Sequence, residues 1–92
     1  MQFEWDEAKN EANIRKHGID FEDVTDMFNH PMMTLMDTRE NYGEPRWFSI
    51  GWIKTMLGVV IYTERVGDVI RIISARKATK GEVRRYEQSI KN

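Results

Sequence analysis

Met56-Leu57-Gly58-Val59-Val60-Ile61-Tyr62-Thr63-Glu64-Arg65, then Val66-Gly67-Asp68, then Val69-Ile70-Arg71-Ile72-Ile73-Ser74-Ala75-Arg76-Lys77 is the stretch that decides the fold. Two runs rich in β-branched residues flank a short Gly- and Asp-containing turn, which predicts a β-hairpin. A turn centred on Gly67 places Glu64 opposite Ile70, Tyr62 opposite Ile72, Val60 opposite Ser74 and Gly58 opposite Arg76. The other face carries Arg65 with Val69, Thr63 with Arg71, Ile61 with Ile73, Val59 with Ala75 and Leu57 with Lys77. Successive strand residues point to opposite faces, so a one-residue slip would exchange these sets. The block Leu57, Val59, Ile61, Ile73 and Ala75 is the purer apolar one and is expected to pack against helices. Tyr62, Glu64, Ser74 and Arg76 are expected on a half-polar surface, with the Tyr62 hydroxyl at its rim.

Outward from the hairpin, Arg46 to Trp52 alternates as a strand, and Met32 to Met36 is an apolar run that reads as another. Between them, Asp37 to Gly43 is a polar loop. Upstream, Phe3-Glu4-Trp5 is a short first strand. Asp6 caps a helix that runs to His17, with Gly18 as its stop and Arg15, Lys16 and His17 in its last turn. Phe21, Val24 and Phe28 fall at i, i+3 and i+7, which predicts a second helix from Asp20 to Asn29, ended by Pro31. After the hairpin, Thr79-Lys80-Gly81-Glu82 has the form of a capping box, with Val83, Tyr86 and Ile90 as the inward stripe of a last helix. The order β-α-α-β-β-β-β-α, with short loops, predicts an α+β fold with a mainly antiparallel sheet.

Ninety-two residues suffice for one domain, 1–92, and the 40% hydrophobic content excludes a disordered chain. No cysteine is present, which excludes disulfides and thiolate metal sites. The longest apolar stretch, Met56 to Tyr62, is too short to cross a bilayer. The first residues, Met-Gln-Phe-Glu-Trp-Asp, lack the positive start and apolar run of a secretion signal, so a cytoplasmic protein is expected. The net charge of −1 conceals an asymmetry. Residues 1–64 hold 6 Lys and Arg against 12 Asp and Glu, whereas residues 65–92 hold 8 against 3. A basic end of this kind can meet phosphates while the molecule stays soluble, or it can simply be a solvated strand edge and helix.

No phosphate loop, HExxH pair or Cys-His cluster is present, and no metal or cofactor is expected. What remains is a set of cations, a Glu and a Tyr, and those parts suffice for metal-free RNA cleavage. A base takes the 2′-hydroxyl proton, the oxygen attacks phosphorus, cations hold the developing charge, and an acid protonates the leaving 5′-oxygen. Arg fits the cationic role because its planar fork holds two phosphate oxygens. On pattern alone each candidate has two readings. Arg76 and Lys77 fit a phosphate contact before a helix start, or a solvated strand end. Glu64 fits a base held by Arg65 or Arg76, or a cross-strand ion pair. Lys16 and His17 fit a cation and an acid, or charges that complement a helix end.

The two ends of the chain add a resemblance. Phe3-Glu4-Trp5-Asp6, Lys9, Asn13, Lys16-His17-Gly18-Ile19 and Phe21 stand at the start. Arg46 with Ile50-Gly51, Thr63-Glu64-Arg65, and Arg71 through Thr79 followed by Glu82, Arg84 and Tyr86 stand later. In this spacing the chain resembles the BrnT family of toxins, although that family often has His where this chain has Tyr62. The resemblance implies a RelE-like fold and a ribonuclease that arrests translation and growth. It implies neutralisation by a BrnA-like ribbon-helix-helix antitoxin, a toxin homodimer within the complex, operator DNA bound through the antitoxin, and no membrane role. Carried over by position, the expected catalytic set is Lys16, His17, Glu64, Arg65, Arg76 and Lys77, with Arg46 and Lys80 as RNA contacts. The competing reading is a non-catalytic module that binds nucleic acid or an antitoxin through the same cations.

Overall fold

The computed structural model describes residues 1–91; Asn92, the last residue of the expected domain, lies outside the described residues. The elements are β1 (Gln2–Glu4), α1 (Glu7–His17), α2 (Phe21–Val24), a 3₁₀ turn (Thr25–Asn29), β2 (Met33–Met36), β3 (Trp47–Ile53), β4 (Met56–Arg65), β5 (Val69–Lys77) and α3 (Lys80–Lys91). This is the expected order. The five strands form one sheet, β1-β5-β4-β3-β2, with β1 parallel to β5 and the remaining pairs antiparallel.

The hairpin register agrees with expectation only near the turn. Arg65 faces Val69, Glu64 faces Ile70, Thr63 faces Arg71 and Tyr62 faces Ile72, and then Ile61 faces Ser74 rather than Ile73. Ile73 is an extra residue in β5, so Val60 faces Ala75, Val59 faces Arg76 and Gly58 faces Lys77. The bulge has a clear physical cause. Unbroken alternation would carry Ser74 and Arg76 onto the same face as Ile70 and Ile72, which is packed into the larger core. Burying an unpaired guanidinium there costs far more than one disrupted ladder step. With the bulge, Ala75 (1% exposed) enters that core and Arg76 emerges on the opposite face.

Both faces of the sheet are covered, which corrects the expectation of one apolar and one half-polar surface. On one side Ile19, Phe21, Val24 and Met27 pack on Val60, Tyr62, Ile70, Ile72 and Ala75. On the other, Val83 and Tyr86 of α3 pack on Ile50, Val59, Ile61 and Ile73. A central strand buried on two sides is apolar without alternation, and that is the composition of Met56 to Tyr62. Tyr62 is 6% exposed, and its hydroxyl lies 2.9 Å from Ser49 Oγ in the interior, not at a rim.

The helices follow their caps. The Asp6 side chain accepts from Lys9 N–H, and α1 stops at Gly18, whose φ of 71° lets its N–H reach the Ile14 carbonyl at 2.8 Å. The expected second helix is shorter than Asp20 to Asn29, because it tightens to 3₁₀ after Val24. The fully buried residues are Phe21, Val24 and Met27, spaced by three, which is the 3₁₀ period. Phe28 points aside and meets the rings of Phe3 and Tyr62. At the start of α3 the capping box forms as expected. Glu82 N–H donates to Thr79 Oγ1 at 3.2 Å, and Thr79 N–H donates to Glu82 Oε1 at 2.8 Å. The same Glu82 carboxylate takes both prongs of the Arg76 guanidinium, at 2.8 and 2.9 Å.

Two buried side chains of α1 fasten it to α2 and to the sheet. Asn10 receives Phe21 N–H at 2.9 Å and donates to Asp20 at 3.0 Å. Asn13 donates to the Ile19 carbonyl at 3.0 Å and receives Ala75 N–H at 3.1 Å. Pairing with β1 ends at Arg71, so this edge of β5 is otherwise unpaired just past the bulge. Asn13→Ala leaves a buried N–H without an acceptor, and we expect a loss of about 1–3 kcal/mol in urea denaturation. The Glu82 carboxyl, held by the Arg76 guanidinium, titrates at about 2 rather than at its ordinary 4.5. Ionised Glu82 therefore stabilises the fold above pH 4.5, and that contribution is lost as pH falls from there towards 2. In thermal melts across that window the wild type should lose more stability than Glu82→Gln, and equal slopes would exclude the assignment.

Candidate active site

One lateral row on the α3 side of the sheet is polar across all five strands. Glu4 on β1 pairs with Arg71 on β5, and Arg71 pairs with Thr63 on β4. Arg46 stands one step beyond the Trp47–Tyr62 pair of β3 and β4, and its carbonyl accepts from Asp37 N–H at 2.8 Å just beyond β2. The apolar cluster under α3 ends one row earlier, at Phe48, Ile61 and Ile73. Arg65 lies two residues beyond Thr63 and therefore shares its face.

Carboxylates hold these guanidiniums in place. Arg71 donates to Glu4 at 2.7 Å, and Arg65 stands 3.8 Å from Glu4 and 3.7 Å from Glu44. Arg46 lies 3.9 Å from Glu44, with its guanidinium 3.9 Å above the centre of the Tyr42 ring. Arg39 grips Asp37 through two bonds of 2.9 Å, which holds the Asp37 carboxyl below the usual carboxylate range. Among the described residues, two polar atoms in the row are buried and have no hydrogen-bond partner, Arg46 Nε and Thr63 Oγ1.

The bulge adds Arg76 to this face. Arg71 and Arg76 are an odd number of residues apart and would otherwise point to opposite sides. The two bonds from Glu82 raise the Arg76 pKa, and the nearby Arg39 charge opposes that rise. Arg39, in the loop after β2, is near enough for its charge to be felt at Arg76. Other cations stand at the ends of α1 and β5 and at the start of α3. Asn13 ties α1 to Ala75, and Lys16 and His17, three and four residues on, share the Asn13 side of the helix. Lys77 ends β5 and Lys80 opens α3; both are exposed.

The eight expected residues thus fall in three places. Arg46, Arg65 and Arg76 share the α3 face. Lys16, His17, Lys77 and Lys80 lie along the β5 edge, and none of the four makes a side-chain hydrogen bond or ion pair among the described residues. Glu64 stands apart. It faces Ile70 on the other side of the sheet, is exposed, and pairs with neither Arg65 nor Arg76, whose carboxylates are Glu4 with Glu44 and Glu82. Arg71, Thr63, Glu4, Asp37, Arg39 and Tyr42 were not singled out by sequence. Arg71 opposite Thr63 was already given by the hairpin register. The loop residues carry no comparable signal, because the chain fold alone brings them to the row.

Among the described residues no three His, Cys, Asp or Glu side chains gather as a metal site, and no helix is long and apolar enough to cross a membrane. What the face offers is several oriented guanidinium forks, a set suited to holding phosphate oxygens.

Comparison with known proteins accords with this chemistry. The family described as ribonuclease toxin, BrnT, of type II toxin–antitoxin system matches residues 5–82. The crystal structure of the Brucella abortus ribonuclease toxin BrnT superposes with a TM-score of 0.67 and 28% identity, covering 87% of this chain and 99% of that one. No curated protein sequence matches. The family match spans most of the chain, and the RelE-like α+β architecture is shared with a solved member. The chain therefore belongs to the BrnT family, the ribonuclease toxins of type II toxin–antitoxin systems.

Proposed function

We propose that this protein is an endoribonuclease that cuts RNA by metal-independent acid–base chemistry and so arrests translation and growth. The observation that carries this reading is that Arg46, Arg65, Arg71 and Arg76 stand on one side of the sheet, each paired with a carboxylate. In the reaction the RNA 2′-oxygen bonds to phosphorus, the bond to the 5′-oxygen breaks, and a 2′,3′-cyclic phosphate and a 5′-hydroxyl result. The phosphorane oxygens carry the developing charge; Arg76 meets it from the α3 face and Lys77 from the end of β5, where the strand edge is open. Glu82, titrating at about 2, is too weak a base at neutral pH; it holds the Arg76 fork in place. Proton transfer falls to His17, assisted by Lys16, because an imidazole serves as both donor and acceptor. Glu64, alone on the other face, takes no part. Arg46, Arg65 and Lys80 contact the rest of the RNA strand.

The family implies an antitoxin partner, and we assign that role to a BrnA-like ribbon-helix-helix protein. It would join two toxin copies and bind operator DNA on their behalf. The cytoplasm, where messenger RNA is translated, is the compartment this reading requires. One observation favours a non-catalytic binding module instead: Arg39, Arg46, Arg65, Arg71 and Arg76 are all already engaged by carboxylates.

Purified protein should cut RNA in the presence of EDTA. Arg76→Ala should lower the rate about 10²–10³-fold, the usual scale for one charge-stabilising donor, while circular dichroism stays native. Arg76→Lys should recover only part of that loss, because an ammonium lacks the fork. A folded Arg76→Ala that cuts at the wild-type rate overturns the assignment. Intact RNA with binding that weakens steeply in salt selects the module.

A further inference from the structure

We infer that Thr63 Oγ1 and Arg46 Nε form the floor of an anion subsite for a second phosphate of the RNA strand, separate from the phosphate at Arg76. The RNA part of this inference rests on the nuclease reading above; the anion site does not. Thr63 is 2% exposed, and its hydroxyl has no hydrogen-bond partner. Buried polar atoms are nearly always satisfied, so an orphan points to a group that arrives later. A second atom of the same row, Arg46 Nε, is also buried without a hydrogen bond among the described residues, its ion-pair partner Glu44 standing 3.9 Å away. Thr63 lies on β4 and Arg46 stands one residue before β3, next to the Trp47–Tyr62 pair, and both atoms can donate.

The charge around them selects the guest. Arg46, Arg65 and Arg71 surround the pair and share only the Glu4 and Glu44 carboxylates, since Asp37 is taken by Arg39. One positive charge is left over, which favours an anion over a cation or a lone water. The side chains above the hydroxyl are long and partly exposed, 25% for Arg46, 45% for Arg65 and 32% for Arg71. Rotation of the Arg65 guanidinium, the most exposed of the three and held only by contacts of 3.8 and 3.7 Å, uncovers the floor without backbone movement. Arg71 and Arg76 are five residues apart along β5, roughly 13–16 Å when one residue is taken up by the bulge. No single phosphate spans that gap. Non-adjacent phosphates of one extended strand do, so the subsite sets a minimum substrate length.

The test is titration of the full chain with inorganic phosphate, observed at the Arg46 Nε–Hε resonance. The wild type should shift saturably, and Thr63→Val should bind about tenfold more weakly, the worth of one hydrogen bond to a charged group. The same variant should melt about 4 °C higher or more, because it removes an unsatisfied buried hydroxyl while keeping the side-chain shape. Arg46→Lys, which keeps the charge and loses the Nε donor, should bind phosphate as weakly as Thr63→Val. In cleavage assays Thr63→Val should raise KM for a long RNA about tenfold at unchanged kcat, with no effect on a dinucleotide. Absence of a saturable shift, equal affinity in Thr63→Val, or a lower melting temperature for that variant overturns the subsite. A wild type that cuts RNA yet shows no saturable phosphate shift removes the subsite alone. A wild type that binds phosphate in this pattern but leaves RNA intact removes the nuclease reading and keeps the anion site.

Discussion

The cost of burying a guanidinium is the constraint that sets the arrangement of this molecule. The face of β5 under α1 and α2 is closed by Phe21, Val24 and Met27, and it accepts only apolar side chains. Arg76 falls on that face if β5 alternates without interruption. The chain instead spends Ile73 on a bulge, and every residue after it changes sides. Ala75 goes in, Arg76 goes out, and the Arg76 fork meets Glu82 at the first turn of α3. The same slip leaves Ala75 N–H on an unpaired edge, where Asn13 of α1 receives it. One local defect thereby sets where α1 and α3 are fastened to the sheet and the side on which Arg76 stands.

Orientation matters as much as charge on that face. A row of free arginines would repel one another and wave in solvent. Here Glu4, Glu44 and Glu82 stand between them, and Tyr42 lies flat beneath Arg46. The more exposed pairs made by Glu4 and Glu44 contribute little to stability. Their consequence is preorganisation: guanidinium forks fixed before an anion arrives reorganise less when it does.

Much of this was legible in the residues. The strong periodic segments, the Asp6 and Gly18 ends of α1, the Thr79–Glu82 box and the first four hairpin pairs each depend on neighbours in sequence, and each stands where local chemistry puts it. The tightened turn after Val24 was less legible, because Phe28 at i+7 and Met27 at i+6 are equally apolar. Only the packing of Met27 into the sheet separates a 3₁₀ period from an α period. Glu64 shows the same limit at the site. It is adjacent to Arg65, yet alternation sends the two to opposite faces, and proximity in the chain carried no proximity in space.

Sequence by itself determined the class of the fold, the order of its elements, the basic character of its last third and the family to which it belongs. Those come from local propensity, hydrophobic period and a spaced motif, all written along the chain. Tertiary structure alone decided which arginines share a surface, which carboxylates hold them, and that Thr63 and Arg46 are left with unsatisfied donors. The reason is that a bulge, an edge and a loop crossing depend on the balance of burial between layers. That balance exists only once the helices have closed over both faces of the sheet.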